Sequence, residues 1–342
     1  MMTTTKPIEI LMTVPFGETL LADLRSVSPR VRITVINAQK VSDIPDDVWA
    51  RTEILYTGRV IPSPEQVPNL KWVQFHFAGI DHVLELPLLK NSEVMFTTLS
   101  GALAPQIAEH AVTMMLALGH QIPRLNRLQA KAEWPADRWE TFFPLELRGA
   151  TVGLVGYGSI SREIARILQT FKASVLACKH DVMKLKDDGY IPDETGDPEG
   201  VLFTRLYPYQ AVKSMLKGCD FIVITVPKTA ETIDLINTEE IAVIQPHAYL
   251  IDVSRGGIVN QDALVLALQD KKIGGAALDV FKEEPLPQNS PLWKLPNVIL
   301  SPHIAGASKY YNDRASDLFK ENLRRYCAGS QLFNQFDPNQ GY

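Results

Sequence analysis

The sequence predicts an α/β protein organised as two doubly wound units, each built on a mostly parallel sheet. Three observations carry this reading. The chain has 342 residues, more than one modest domain holds. Short apolar runs alternate with stretches of helical spacing from end to end, the rhythm of strand–helix units. A glycine-rich turn, "GYGSIS" at 156–161, follows one such run and opens a helix.

In the first unit, residues 8–14, 31–36, 53–57, 71–75 and 94–98 read as strands, with helical spacing between several of them, as in "GETLLADLRSV". Residues 104–132 are helical in composition with an interruption at Pro123, and "EWPADRWETFFPLELRGA" after them reads as an extended arm. A second series of strands follows: "TVGLV" from Thr151, "SVLAC" from Ser174, "FIVITV" from Phe221, "YLIDVS" from Tyr249, "GAALDV" from Gly275 and "NVILS" from Asn297. Near the C-terminus, Tyr311, Ala315, Leu318, Phe319 and Leu323 recur at the spacing of one buried helix face. Residues 183–208, acidic and rich in proline and glycine, read as a long surface excursion.

Composition narrows the function classes. Hydrophobic content of 46% and charged content of 21% describe an ordinary globular protein. A net charge of −5 without a basic stripe argues against a nucleic-acid binder. No run approaches the roughly 18 apolar residues of a membrane span, and the opening "MMTTTKPIEILMTV" lacks the pattern of a signal peptide. Cys178, Cys219 and Cys327 have no metal-ligand spacing and read as buried or half-buried thiols, so no metal site is expected. A soluble cytoplasmic protein, with neither membrane nor nucleic acid as partner, is the expectation.

The glycine turn points to a dinucleotide. Gly156 permits the tight turn, Gly158 leaves room for a pyrophosphate, and the following helix N-terminus offers N–H groups to phosphates. Ser161 stands where the third glycine of the pattern is usual, and is small enough for close helix–strand packing. Three patches at later strand ends carry candidate chemistry. Arg255 precedes Gly256-Gly257, where a guanidinium can grip a carboxylate bidentately. Asp279 ends a strand, with Glu283, Glu284 and Pro285 beyond it; adjacent acids before a proline are more often a surface loop than a site. His303 follows a buried-looking strand and precedes small residues, a fit place for an acid/base histidine. Among the other histidines, His110 lies on an apolar helix and reads as a satisfied core residue, while His76 and His82 flank "FAGID" and are candidates to line a cleft.

Taken in order, "AGIDHV", "AEHAV", "GYGSIS", "DVSRGGIVN", "ALDVFKEEPLP" and "PLWKLPNVILSPHIAG" resemble the D-isomer-specific 2-hydroxyacid dehydrogenase family, over nearly the whole chain and most strongly from 149 to 307. The resemblance implies Rossmann-like and flavodoxin-like domains with the active site in a cleft between them. Residues 1–104 plus 308–342 would form the substrate domain and 105–307 the dinucleotide-binding domain. It implies an NAD(P)-dependent enzyme reducing a 2-oxo acid to a D-2-hydroxy acid, in the manner of glyoxylate/hydroxypyruvate reductases. Arg255 would bind the substrate carboxylate and polarise the C2 oxygen. His303 would give that oxygen its proton. Glu284 would orient His303 and favour its protonated form. The backbone N–H groups of Ala78 and Gly79 would hold the carboxylate as well. Gly156, Gly158, Ser159, Ile160, Lys179, His180, Val226, Pro227, Thr232, Val253, Ser254, Asp279, His303 and Ala305 would surround the cofactor, with Asp279 at the nicotinamide carboxamide. A homodimer joined through the cofactor domain, by the helix with "AEHAVTMMLALG" and the arm after it, is implied too.

Several readings stay open at this stage. A cofactor-sensing, corepressor-like binding protein on the same fold is the alternative to an enzyme. A formate dehydrogenase is disfavoured, because that branch has glutamine where Glu284 stands. Residues around Phe75 to Gly79 and Leu99 to Leu103, and Trp293 or its neighbours, either meet the substrate side chain or belong to the core, and they do not fix which 2-oxo acid is used. The strand that ends "VLACKHD" places Lys179 where an NAD-preferring pattern has an acid. A lysine pairs with a phosphate and cannot accept a bond from a ribose hydroxyl, so NADP(H) is preferred, with NAD(H) served if Asp181 holds the ribose instead.

Overall fold

The computed structural model describes residues 6–90 and 93–336. Met1 to Thr5, on which the leader-peptide reading partly rests, and the last six residues assigned to the substrate domain lie outside them. The chain divides into two compact units: Met1–Leu103, Asp188–Tyr190 and Ser308–Tyr342 in the first, Ala104–Asp187 and Ile191–Ala307 in the second.

In the first unit, β1 (Ile8–Met12), α1 (Glu18–Arg25), β2 (Val31–Val35), α2 (Asp46–Arg51), β3 (Ile54–Thr57), β4 (Trp72–Phe75) and β5 (Met95–Thr97) follow one another. The five strands form a parallel sheet in the order β2-β1-β3-β4-β5, the flavodoxin-like order. β3 and β4 are buried along their whole length, which is why they read as apolar runs without alternation. The C-terminal helix Tyr311–Ala328 covers one face. Its Phe319 is fully buried, with ring centroids 4.8 Å from Tyr56 and 5.3 Å from Trp72. Gly329, at φ +68°, ends the helix in the left-handed conformation that glycine adopts freely.

The second unit opens with α3 (Ala104–Gly119) and α4 (Ile122–Lys131). The break between them lies at Gln121, φ +55°, and not at Pro123 as the sequence suggested. Pro123 sits in the first turn of α4, where its missing N–H costs nothing. The arm that follows contains one helical turn, α5 (Arg138–Thr141). Then come β6 (Thr151–Val155), α6 (Ser159–Thr170), β7 (Ser174–Lys179), β8 (Arg205–Pro208), α7 (Val212–Leu216), β9 (Phe221–Ile224), α8 (Thr238–Ile241), β10 (Tyr249–Asp252), α9 (Gln261–Gln269), β11 (Gly275–Leu278) and β12 (Val298–Leu300). The seven strands are parallel, in the order β12-β11-β10-β9-β6-β7-β8. From β6 onward this is the dinucleotide-binding order with one further strand, and its switch point falls between β6 and β9.

The excursion at 183–208 is partly regular. Its last residues form β8, an edge strand in register with β7 (Cys178 opposite Tyr207). The strand "RLYP" has only two apolar residues between exposed Arg205 and Pro208, so it lacked the apolar signature by which the other strands were read. Three residues of the excursion belong to the first unit. There the Tyr190 N–H donates to Asn334 Oδ1 (3.0 Å), and the Tyr190 carbonyl lies 1.9 Å from where a side chain on Gly101 would begin. Among the described residues, no helix is long and apolar enough to cross a membrane.

Candidate active site

The parallel register of the second unit's sheet puts the ends of β10, β11 and β12 side by side: Asp252 pairs with Leu278, and Leu278 with Leu300. The three catalytic candidates follow these ends, Arg255 after β10, Glu284 after β11 and His303 after β12. The structure brings Glu284 and His303 together. Glu284 Oε2 lies 2.7 Å from His303 Nδ1, and Glu284 Oε1 accepts the Phe281 N–H at 2.9 Å. A carboxylate held at both oxygens fixes the imidazole: with Nδ1 turned to Glu284, Nε2 is the nitrogen left to exchange a proton. The His303 side chain is 44% exposed.

His303 stands at φ +54°, uncommon for a side chain of its size. Asp279, 2% exposed, holds the chain in that shape. Its Oδ1 accepts Ser301 Oγ–H (2.6 Å) and the Ile304 N–H (2.9 Å), and its Oδ2 accepts the Ala305 N–H (2.8 Å). The Asp279 carboxylate thus spends its acceptors on the turn that carries His303. His110 is not simply a core residue. From α3 its Nε2 comes within 3.3 Å of Ser301 Oγ and 4.0 Å of Asp279. Sequence reasoning missed Ser301 and His110 as supports. "SPH" was the available signal for the first; nothing local marks the second, because its partner lies 191 positions away.

Arg255 is anchored differently. Its Nη1 donates to the Ser254 carbonyl (2.8 Å), and the Ser254 N–H and hydroxyl both donate to Asp252 Oδ1. Gly256 has no room for a side chain, since a Cβ there would lie 1.7 Å from the Phe281 carbonyl oxygen. That close approach presses the Arg255 loop onto the loop leading to Glu284. Asp252 is buried, and burial pushes its carboxyl up to about 7, against the bonds from Ser254; nearby Asp279 raises it further and Arg255 lowers it.

At the glycine turn, Gly156 has φ +96°, and a Cβ would meet Val226 and Thr225 at 2.8 and 3.0 Å. Gly158 faces open space, with nothing within 4 Å of a built Cβ. This is the cradle a pyrophosphate needs at the start of α6, so the residues present fit a dinucleotide. Ser161 is fully buried, its hydroxyl 2.8 Å from Thr225 Oγ1, so close packing survives the loss of the third glycine. Ser159 and Ile160, half-buried, begin the helix. Val226, Val253 and Ala305 are buried, and Pro227 is exposed. The Thr232 hydroxyl is taken up by the Pro227 carbonyl (2.6 Å) and the Thr229 N–H (2.8 Å), so its visible work is to shape that turn.

At the end of β7, the Lys179 ammonium donates to the Lys184 carbonyl. Partial burial lowers its pKa, and the Arg162 guanidinium adds to that effect. His180 lies 3.5 Å from Glu231, both exposed, and Asp181 Oδ1 accepts the Met183 N–H (2.9 Å). In the first unit, Ala78 and Gly79 are half-buried in the loop after β4. Phe75 and Leu99 are fully buried, and Leu103 nearly so. These three are core, one of the two places the sequence left open for them; strand-end apolar residues look alike in sequence whether they face a core or a ligand. His76 is buried, its Nδ1 2.7 Å from Tyr56 Oη, and burial lowers its pKa to about 4. Trp293, 55% exposed in the second unit, donates to the Pro287 carbonyl (3.0 Å). Among the described residues no cluster of His, Cys, Asp or Glu could hold a metal.

Comparison with known proteins bears on the family and the fold. Residues 112–305 match the family model described as D-isomer specific 2-hydroxyacid dehydrogenase, NAD binding domain. A glyoxylate reductase from Thermofilum pendens is 36% identical over 76% of the chain and 72% of its own length. A D-3-phosphoglycerate dehydrogenase from Synechocystis is 31% identical over 82% of the chain, though only 47% of that longer protein is matched. Among solved structures, a D-isomer specific 2-hydroxyacid dehydrogenase from Xanthobacter autotrophicus, in complex with NADPH and MES, superposes with a TM-score of 0.77 at 25% identity, covering 99% of this chain and 100% of that one. An NADPH-dependent glyoxylate/hydroxypyruvate reductase from Sinorhizobium meliloti, in complex with citrate, gives 0.73 at 27% identity, covering 97% and 98%.

The Asp252 carboxyl generates a prediction. Its folded-state pKa stands above the unfolded value, so its contribution to stability is full near pH 4 and is lost as pH rises through 7. Asp252→Asn keeps the acceptor for Ser254 without the buried charge. The variant should gain on the wild type between pH 4.5 and pH 8, by on the order of a few kcal/mol. Urea unfolding at the two pH values measures the change, and an equal difference at both would contradict the assignment.

Proposed function

The chain belongs to the D-isomer specific 2-hydroxyacid dehydrogenase family, and on that premise we propose how its own residues carry out the chemistry. It is an oxidoreductase of the 2-hydroxyacid type that reduces 2-oxo acids with NAD(P)H. The corepressor-like alternative finds no support, since the relatives named above are dehydrogenases and reductases.

The observation that carries the mechanism is the His303–Glu284 pair, 2.7 Å apart, with the carboxylate anchored on the Phe281 N–H. The reduced nicotinamide, when bound, supplies the hydride to C2 of the 2-oxo acid. His303 Nε2 gives the proton to the C2 oxygen and takes it back in the reverse direction. Glu284 keeps the ring aimed and stabilises its charge while the proton is held. Arg255 pairs with the substrate carboxylate and draws density from the C2 oxygen. The substrate class we assign is a short 2-oxo acid, which the glyoxylate reductase relative supports. NADP(H) is the preferred cofactor: Lys179 takes the place of the ribose-binding acid, and two of its three ammonium protons stay available to a 2′-phosphate beyond the one bonded to Lys184.

We also assign a homodimer joined through the second unit. Trp134 (84% exposed), Trp139 (74%) and Phe143 (72%) stand out on its arm, with Arg138 over both indole rings. Such a cluster of exposed aromatics marks an interaction surface, and the family resemblance supplies the second copy as its occupant. The free cysteines fit a cytoplasmic location.

Four experiments test these assignments. His303→Ala should lower kcat for glyoxylate reduction by about 10²-fold or more, and Arg255→Ala should raise KM and lower kcat together; near-normal turnover in either would overturn its role. Lys179→Asp should move the ratio of kcat/KM for NADPH over NADH toward NADH by about tenfold or more. A wild-type preference for NADH would sink the phosphate assignment. Sedimentation should show a dimer that Trp134→Ser/Trp139→Ser shifts to monomer, and a wild-type monomer would remove the dimer.

A further inference from the structure

The excursion between β7 and β8 takes no part in the chemistry just assigned, yet it is anchored by charges that are expensive to bury. Arg162, four residues after Gly158, is 1% exposed, and Glu163 beside it 2%. Arg162 donates to the backbone carbonyls of Asp197 and Leu185 (2.5 Å to the latter), and its Nε lies 3.5 Å from an Asp187 carboxylate oxygen. Its guanidinium lies 5.0 Å over the ring of Tyr157, the residue between the two glycines of the phosphate turn. The Tyr157 hydroxyl donates to Asp197 Oδ2 at 2.7 Å. Asp197, 3% exposed, also accepts the N–H groups of Gly200, Val201 and Leu202 at 3.1, 3.0 and 2.9 Å. Glu163 accepts the Gly196 N–H (2.6 Å) while paired with Arg166 (2.6 Å).

The bonds from Arg162 and from the Tyr157 hydroxyl, and the one from the Gly196 N–H to Glu163, join the excursion to the turn or the helix that would bind pyrophosphate, while the N–H groups of Gly200, Val201 and Leu202 tie Asp197 within the excursion. A buried guanidinium is costly unless its donors are met; here excursion carbonyls meet Nη1 and Nη2, while Nε makes no hydrogen bond and has the Asp187 carboxylate 3.5 Å away. The same segment supplies the Lys184 carbonyl that holds the Lys179 ammonium. Tyr157 and Arg162 are therefore fixed from outside the turn, and Lys179 from beyond its strand, by one stretch of chain.

We propose that residues 184–187 and 191–202 act as a brace that preorganises the cofactor site, with Asp197, Arg162 and Tyr157 as positioning residues that hold the phosphate turn and the Lys184 carbonyl that holds Lys179. A turn already in its bound shape loses less freedom when the cofactor arrives. The brace rests on the dinucleotide reading above, and its effect on Lys179 rests on the NADP(H) assignment.

The test measures binding directly, by cofactor fluorescence titration with NADPH and NADH, beside thermal unfolding and steady-state kinetics. Asp197→Asn removes the charge that gathers four donors, and Tyr157→Phe removes one bond to it. Each should raise the dissociation constant for NADPH by about tenfold, the scale of a lost charge-assisted hydrogen bond, and the constant for NADH by less. For Asp197→Asn, KM for NADPH should rise while kcat at saturating cofactor holds, and Arg162→Lys should keep more affinity than Arg162→Gln. Unchanged dissociation constants in both Asp197→Asn and Tyr157→Phe, with only the unfolding temperature lowered, would overturn the brace. If the wild type itself binds NADH more tightly, the phosphate assignment falls and the brace is judged on the NADH constant alone.

Discussion

The in-register parallel pairing of β9 to β12 is the constraint on which the catalytic end of this protein depends. Parallel strands joined by helical crossovers end at the same edge of the sheet, so residues far apart in sequence meet without any local signal. Arg255, Glu284 and His303 come from three consecutive strand ends. Gly256 has no side chain, so the first loop can lie against the loop that leads to Glu284. The order of the sheet decides which loops are neighbours, and the glycine decides how near they come.

Within that frame, buried charges set the finer geometry. Asp279 closes the turn bearing His303, Asp252 gathers the serine beside Arg255, and Asp197 with Arg162 ties the excursion to the phosphate turn. A carboxylate out of water is stable only when donors surround it, so each fixes several backbone groups at once. Asp279 and Asp197 do so with both oxygens met by N–H or O–H groups. Asp252 is the exception, with the Ser254 donors on one oxygen and a carboxyl pushed up to about 7.

Much of the fold was legible because strands, whether buried on both faces like β3 and β4 or only in part like β2 and β12, leave apolar runs, and eleven such runs were read from sequence. The twelfth, β8, is the edge strand "RLYP", whose exposed Arg205 and Pro208 leave only two apolar residues between them, and it escaped notice. Pro123 misled for a related reason: a proline breaks a helix interior but suits a helix start, and the sequence alone does not say which place it occupies. The candidate site divides along the same line. Residues in ordered motifs, such as Arg255 in "SRGG" and His303 in "SPHIAG", announced themselves. His110 and Asp197 did not, since what they do depends on partners brought near only by folding.

The sequence by itself determined the parallel α/β architecture, the glycine turn and the types of group available for chemistry, because periodicity, backbone freedom and side-chain chemistry are local properties. Tertiary structure alone decided that Glu284 meets His303, that Asp279 holds the histidine's turn, that Phe75 and Leu99 are core, and that the acidic excursion is bound to the phosphate turn. Those outcomes rest on distances between strand ends and on burial, and neither exists until the chain has packed.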